Sequence, residues 1–186
     1  MDNNDHRARD AWIALRCQLG ERSAFADLVS EFERPLHYYV AKLVGDEDLA
    51  LDVLQEIWLA AYRGIRRLKE PQTLRPWLYR IAHDRAIDRI RRDRSRDRAE
   101  QAWAEDLPEQ LGEEPSFDAG DAEQLHQALD RLELKHREVL VLHFLDQLSI
   151  AEIARVVGGP PGTVKSRIHY AKKALKEALE NDGLPQ

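Results

Sequence analysis

A chain of 186 residues with 43% hydrophobic and 33% charged residues has the apolar material for one medium or two small cores, and too much charge for a membrane protein. No run approaches the ~20 uninterrupted apolar residues that span a bilayer, and Met1 to Asp10 holds no apolar signal-peptide core. Cys17 stands alone, which excludes an intrachain disulfide and a cysteine-rich zinc site, so a reducing cytoplasm is the expected compartment.

In chain order the pattern is helical throughout. Phe25, Leu28, Val29 and Phe32 fall at helical spacing from Ser23 on, and Leu36, Tyr39, Val40 and Leu43 carry the stripe past Pro35. Gly45-Asp46 ends this helix and starts the next, in which Leu51, Leu54, Trp58 and Tyr62 are expected on one face. A polar, proline-containing loop follows at Lys69–Thr73, and a third helix is expected from near Pro76, with Trp77, Leu78, Ile81, Ala82, Ala86, Ile87 and Ile90 on its apolar side. Residues 99–121 break the periodicity with Pro108, Gly112, Pro115 and Gly120, and order resumes with Leu125, Leu129, Leu132, Val139, Leu140, Leu142 and Leu145. No stretch alternates as a strand does. The expected fold is all-α: two small helical domains, residues 8–98 and 122–182, joined by a flexible acidic linker over 99–121.

The net charge of −6 hides a strong pattern. Arg75, Arg80, Arg85, Arg89, Arg91, Arg92, Arg94, Arg96 and Arg98 crowd the end of the first domain, against four aspartates. Residues 99–123 carry nine acids and no Lys or Arg, whereas residues 161–176 carry Lys165, Arg167, Lys172, Lys173 and Lys176 and no acid. Two basic patches therefore flank an acidic connector, and local field governs nucleic-acid binding more than the sum does.

The most specific local signal lies between Ser149 and Arg167. Ser149 followed three residues later by Glu152 is a capping box. Ile150, Ile153, Ala154 and Val157 give a short helix its buried face, Gly158-Gly159-Pro160 turns the chain, and Pro161 opens a second helix held by Val164, Ile168 and Leu175. This is the helix-turn-helix pattern that places a second helix in the major groove. Its outward face would carry Thr163, Lys165, Ser166, Arg167, His169, Lys172 and Lys173, suited to phosphates and base edges.

Asp52-Val53-Leu54-Gln55-Glu56-Ile57-Trp58, then Trp77-Leu78-Tyr79-Arg80-Ile81-Ala82, then Ala86-Ile87-Asp88 with Arg91-Arg92, resemble region 2 of bacterial sigma factors. Glu152-Ile153-Ala154 through Gly162-Thr163-Val164-Lys165-Ser166-Arg167 resembles their region 4. Their order, with an acidic linker and no third domain between, is similar to the extracytoplasmic-function (ECF) group of the sigma-70 family. The resemblance implies a factor that binds core RNA polymerase and directs promoter recognition, melting and initiation, with an anti-sigma factor as a further partner and no membrane insertion. It places Asp52, Gln55 and Glu56 on a coiled coil of the polymerase's largest subunit, and their i, i+3, i+4 spacing puts two carboxylates and an amide on one face. It assigns the loop Leu68–Leu74 to an unstacked base of the −10 element, with Gln72 and Thr73 as hydrogen-bonding groups, Arg75 and Arg80 on phosphates, and Asp84, Arg91 and Arg92 alongside. The −35 contacts fall on Thr163, Lys165, Ser166, Arg167, His169 and Lys172.

The chain departs from the family pattern at Leu68 and Leu74, where phenylalanine is common, and at His83-Asp84, where an Arg-Asn pair is frequent. The linker, passing through basic channels of the polymerase, would mimic the charge of RNA, and in the free chain it would attract and mask the basic patches. No catalytic residue, metal ligand set or cofactor is expected: His6, His37, His83, His126, His136, His143 and His169 are scattered, and no nucleophile set or metal-spaced carboxylates are present. The competing readings are a stand-alone helix-turn-helix regulator and a sigma-like decoy that binds polymerase without supporting initiation.

Overall fold

The computed structural model describes residues 3–101 and 121–182, with side chains over 6–93 and 124–179. Its described residues hold α-helices, short 3₁₀ segments and one π turn, and no strand. The first unit comprises α1 (Asn3–Gln18), α2 (Arg22–Val44), α3 (Glu47–Gly64) and α4 (Leu74–Gln101), with 3₁₀ turns at Ile65–Arg67 and Pro71–Thr73. The second comprises α5 (Asp121–Asp130), α6 (Leu134–Leu140), a π-helical turn (Val141–Leu145), α7 (Ile150–Val157) and α8 (Pro161–Asp182). The acidic connector expected over 99–121 falls largely outside the described residues.

Local chemistry sets the helix ends. Gly45 closes α2 in the left-handed region at φ 76°, where an L side chain is strained, and its N–H donates to the Ala41 carbonyl. Asp46 then caps α3 by accepting from the Leu49 N–H at 2.8 Å, while Glu47 and Asp48 favour the positive end of that helix. Pro35 sits inside α2 without ending it, as the continuing apolar stripe predicts.

The first unit closes around Leu28, Phe32, Leu36, Tyr39, Ile57, Leu74 and Leu78, all fully buried. Ala24, Ala50, Ala61, Ala82 and Ala86 are also fully buried, and their small side chains let the helices approach closely. Each buried large aliphatic side chain contributes about 1.5–3 kcal/mol relative to exposure. The buried face of α3 is Ala50, Val53, Leu54, Ile57 and Ala61. This corrects the expected stripe: Leu51 and Tyr62 lie on the exposed side, because the helix packs on both α2 and α4 and its buried arc is centred on Val53 and Ile57. Tyr62 keeps an edge contact with Phe25, whose ring also meets Trp58.

Two further differences stand at the N-terminal side. The polar start of the chain forms α1, which packs on α2 and on the Pro71–Thr73 turn through Ile13, Ala14 and Cys17. The third long helix begins at Leu74 rather than near Pro76, so Leu74 is part of the core.

The two units pack directly on each other: α4 lies against α7 and α2 against α6, with buried residues forming one continuous cluster. Much of this interface is polar. Tyr38 meets His126 (2.7 Å), Lys42 donates to Asp130 (2.6 Å), Tyr39 donates to Glu138 (2.8 Å), and Arg7 donates to Glu152 (3.1 Å). Among the described residues no helix is long and apolar enough to cross a membrane.

Candidate nucleic-acid interface

The helix-turn-helix is built as its sequence dictates. The Ser149 hydroxyl accepts from the Glu152 N–H, and the Glu152 carboxylate accepts from the Ser149 N–H at 2.8 Å, so two otherwise orphaned donors are satisfied at the start of α7. Gly158 ends α7 at φ 68° with its N–H on the Ala154 carbonyl, and Pro161 opens α8. Ile153, Ala154 and Val156 are buried in α7; Val156, rather than the expected Val157, takes the deepest position because this side of α7 also faces α4. Val164, Ile168 and Ala171 seat α8 on the unit's core.

On the opposite face of α8, Thr163, Lys165, Ser166, His169, Lys172 and Lys173 are exposed and Arg167 is half-buried. The Ser166 hydroxyl donates to the Thr163 carbonyl at 2.9 Å, leaving its oxygen able to accept. Lys172 Nζ lies 4.8 Å from the centre of the Phe144 ring, so this residue is partly committed to its own unit.

In the first unit Asp52 and Gln55 are exposed on α3, and Glu56 is half-buried with Arg85 and Arg92 of α4 each 3.9 Å from its carboxylate. The acidic face of α3 thus borders the arginine face of α4. Arg91 lies 4.0 Å from Asp88, and Arg89 pairs with Asp93 at 2.9 Å, so the arginine helix is laced by its own aspartates. Gln72 is exposed at the tip of the loop, whereas the Thr73 hydroxyl donates to the Glu70 carbonyl at 2.7 Å and closes the 3₁₀ turn.

Arg75 is a correction. Its guanidinium turns inward, donating to buried Asp10 at 2.9 Å and stacking over Phe32, so it fastens α1 to α4 and is not presented to a phosphate. Burial raises the Asp10 carboxyl above its ordinary value despite this partner. Arg80 is engaged across the units: its Nη1 donates to the carbonyls of Arg155 (2.9 Å) and Val156 (3.0 Å), at the negative end of α7, while its Nε pairs with exposed Asp84 at 3.1 Å. Arg67, Lys69, Thr73, Trp77, Arg80 and Arg155 line a recess of about 520 Å³, with basic walls and one aromatic side.

Sequence reasoning passed over the interface groups. Glu138 accepts from the Tyr39 hydroxyl and lies 2.6 Å from His83 Nδ1, and Asp146 accepts from the Tyr79 hydroxyl. Both carboxylates are buried, and burial pushes Asp146 up to about 7 and both tyrosines well above their ordinary values. In the sequence Glu138 and Asp146 merely bracket one largely apolar run, Val139 to Leu145, which does not say what partners them. Among the described residues no group of acidic, histidine and cysteine side chains is placed to hold a metal.

The sigma-70 region 2 family model matches residues 28–96, and the sigma-70 region 4 model matches residues 122–175. The chain is 33% identical over 172 residues to the ECF RNA polymerase sigma factor SigW of Bacillus subtilis, covering 87% of this chain and 92% of that one. It is 30% identical over 182 residues to the RNA polymerase sigma-H factor of Pseudomonas aeruginosa, covering 92% and 94%. Among solved structures it is similar to CnrH in complex with the cytosolic domain of CnrY (26% identity, TM-score 0.67, covering 94% of this chain and 99% of that one). It also shares the fold of the sigma factor RpoE of Bartonella quintana, seen with the anti-sigma factor NepR (23% identity, TM-score 0.70, covering 85% and 98%). With both regions matched in order and similarity running along most of the chain, this protein belongs to the sigma-70 family, as a sigma factor of its extracytoplasmic-function group.

Proposed function

We propose that this sigma factor divides its work between the two helical units: α3 docks on core RNA polymerase through Asp52, Gln55 and Glu56, the loop and α4 take the −10 element, and α8 takes the −35 element. The observation that carries the reading is the exposed, acid-free stretch from Thr163 to Lys173 of α8 beyond a capped helix-turn-helix, on a chain whose other half presents an exposed Asp52-Gln55 pair beside an arginine helix. On α8 the contacts are Thr163, Lys165, Ser166, Arg167, His169 and Lys172. In the first unit Gln72, Thr73, Arg80, Asp84, Arg91 and Arg92 remain for the −10 strand, Thr73 through its oxygen, with Arg75 reassigned to the core. The units have the boundaries 8–98 and 122–182 as working domains, with α1 completing the first.

The protein supplies recognition and no chemistry of its own; the polymerase makes the phosphodiester bonds. Its place of work is the cytoplasm, where core polymerase and promoter DNA are. An anti-sigma factor is the expected regulator, as for the fold relative RpoE, which is seen bound to one.

The test is capture of the full chain by purified core RNA polymerase, beside Asp52→Ala/Glu56→Ala. Tight wild-type binding that the double variant loses supports the docking face. A wild type that ignores polymerase yet binds duplex DNA by itself sinks this reading in favour of a stand-alone regulator. A chain that binds polymerase but gives no run-off transcript from any promoter is a decoy.

A further inference from the structure

The contact between the units poses a requirement that the sigma reading makes quantitative. The −10 and −35 elements lie roughly 25 base pairs apart, about 85 Å of duplex. Here Arg80, a −10 residue, is hydrogen-bonded at 2.9 Å to the end of α7, within a few residues of the start of the −35 helix. The two surfaces cannot serve both elements in this arrangement, so the units separate when promoter is bound. The groups holding them together then set how readily that happens.

Those groups are unusual for a core. From the second unit Glu138 and Asp146 enter the interface, each buried and each met by a tyrosine hydroxyl of the first unit. Asp146 faces Tyr79 and Arg75 from α4 and Tyr38 and Tyr39 from α2, with Asp10 of α1 behind Arg75. Its Oδ1 takes the Tyr79 hydroxyl, while its Oδ2 is buried with no hydrogen-bond partner. A buried charged oxygen without a donor is costly, whereas the neutral carboxyl carries less of that penalty. The backbone presenting Asp146 is also irregular: it follows the π turn Val141–Leu145 and precedes Gln147, a non-glycine residue in the left-handed region at φ 54°. The chain departs twice from regular geometry to put a carboxylate here.

We propose that Asp146 is a proton-responsive latch between the two units: protonated, it holds them closed with Arg80 bonded to α7, and on losing the proton it loosens them toward the open arrangement that promoter binding needs. This rests on the sigma reading for its consequence, and on the interface alone for its existence. The sign follows from linkage. In the closed form burial raises the Asp146 carboxyl to about 7, and in the open form water returns it toward its ordinary value of 3.8. The closed form therefore binds the proton more tightly. Its extra stability is complete at low pH, declines as pH rises between those values, and is gone above about 7. His83 lies against Glu138 in the same interface, so the experiment must separate that pair from Asp146.

The full chain, labelled with a fluorescent dye pair at Glu33→Cys and Gln124→Cys in a Cys17→Ala background, reports closed and open populations by single-molecule energy transfer at pH 6.2 and 8.2. The wild type is expected to shift toward the open form at the higher pH, with the closed-to-open ratio falling about fivefold or more. Asp146→Asn, which imitates the protonated group, is expected to stay closed and flat across this range, and Glu138→Gln to keep the response. A ratio that does not move in the wild type overturns the latch, and so does an Asp146→Asn protein that keeps the full wild-type slope, since a group other than Asp146 then carries it. Circular dichroism of each variant confirms the helical fold, and Tyr79→Phe, which removes the hydroxyl from Asp146, offers a second perturbation that must raise the open population at both pH values. Capture by core polymerase at pH 8.2 tests the sigma reading separately: its failure leaves the latch measurement intact but strips it of this purpose.

Discussion

Arg167 and Gly158 show how differently single residues act around one turn. Arg167, half-buried on the outward side of α8, has the reach for a base edge or a phosphate. Arg167→Ala is expected to weaken duplex binding by roughly 1–3 kcal/mol if the side chain reads a base. Titration of a promoter fragment against a scrambled one decides the matter: an equal loss on both means that it grips phosphate only. Gly158 contributes through its backbone. At φ 68° a left-handed alanine costs about 1–2 kcal/mol, and its Cβ would also come within 3.0 Å of Arg80 Nη1. Gly158→Ala is therefore expected to lower the thermal midpoint of the free protein and to disturb the Arg80 bonds across the units, both readable by melting and by hydrogen exchange.

At the scale of elements, α7 is short enough that its cap matters. Eight residues make few internal bonds, so the start of the helix depends on Ser149 and Glu152 satisfying each other. Ser149→Ala is expected to cost about 1 kcal/mol of stability, measured by denaturant unfolding, and to leave the packing of Ile153 and Val156 in place. Glu152 serves a second element as well, because its carboxylate accepts from Arg7 of α1. Glu152→Gln is thus expected to keep part of the cap while weakening the tie between α1 and α7; an unchanged melting profile beside a strongly destabilised Ser149→Ala would separate the two roles. The same pairing of duties explains α4. Its inner side, Leu78, Ala82 and Ala86, belongs to the core, while Arg80 reaches from its exposed side to the end of α7.

For the whole molecule, the decisive feature is that two units proposed to act on separate DNA elements share a polar, closed interface. Interfaces between domains of one chain are commonly polar and readily opened, and this one adds two buried carboxylates, each met by a tyrosine hydroxyl of the other unit. The closed form ties Arg80 to the end of α7 and sets Arg155 against the recess beside Trp77, so free protein is expected to bind a single-stranded −10 oligonucleotide more weakly than protein held open by core polymerase. Fluorescence anisotropy with and without polymerase checks this: equal affinities would mean that closure hides nothing the strand needs.

The sequence by itself determined the helical content, the helix-turn-helix and the family. Those features rest on local rules: the Ser149/Glu152 spacing, the Gly158-Gly159-Pro160 turn, the Asp46 cap and the 3.6-residue stripes all act within a few residues of chain. Tertiary structure decided the rest. The buried arc of α3 shifted from Leu51 and Tyr62 to Val53 and Ile57 because two partner helices, not one, define its inner side. Arg75 left the nucleic-acid face because Asp10, 65 positions earlier, reaches it through a helix that the polar N-terminus did not announce. Glu138 and Asp146 stand at the two ends of one apolar run, and only the fold brings Tyr39 and Tyr79 against them across the units. A charge's role is set by who faces it, and for these residues the facing partner is distant in the chain and near only in the fold.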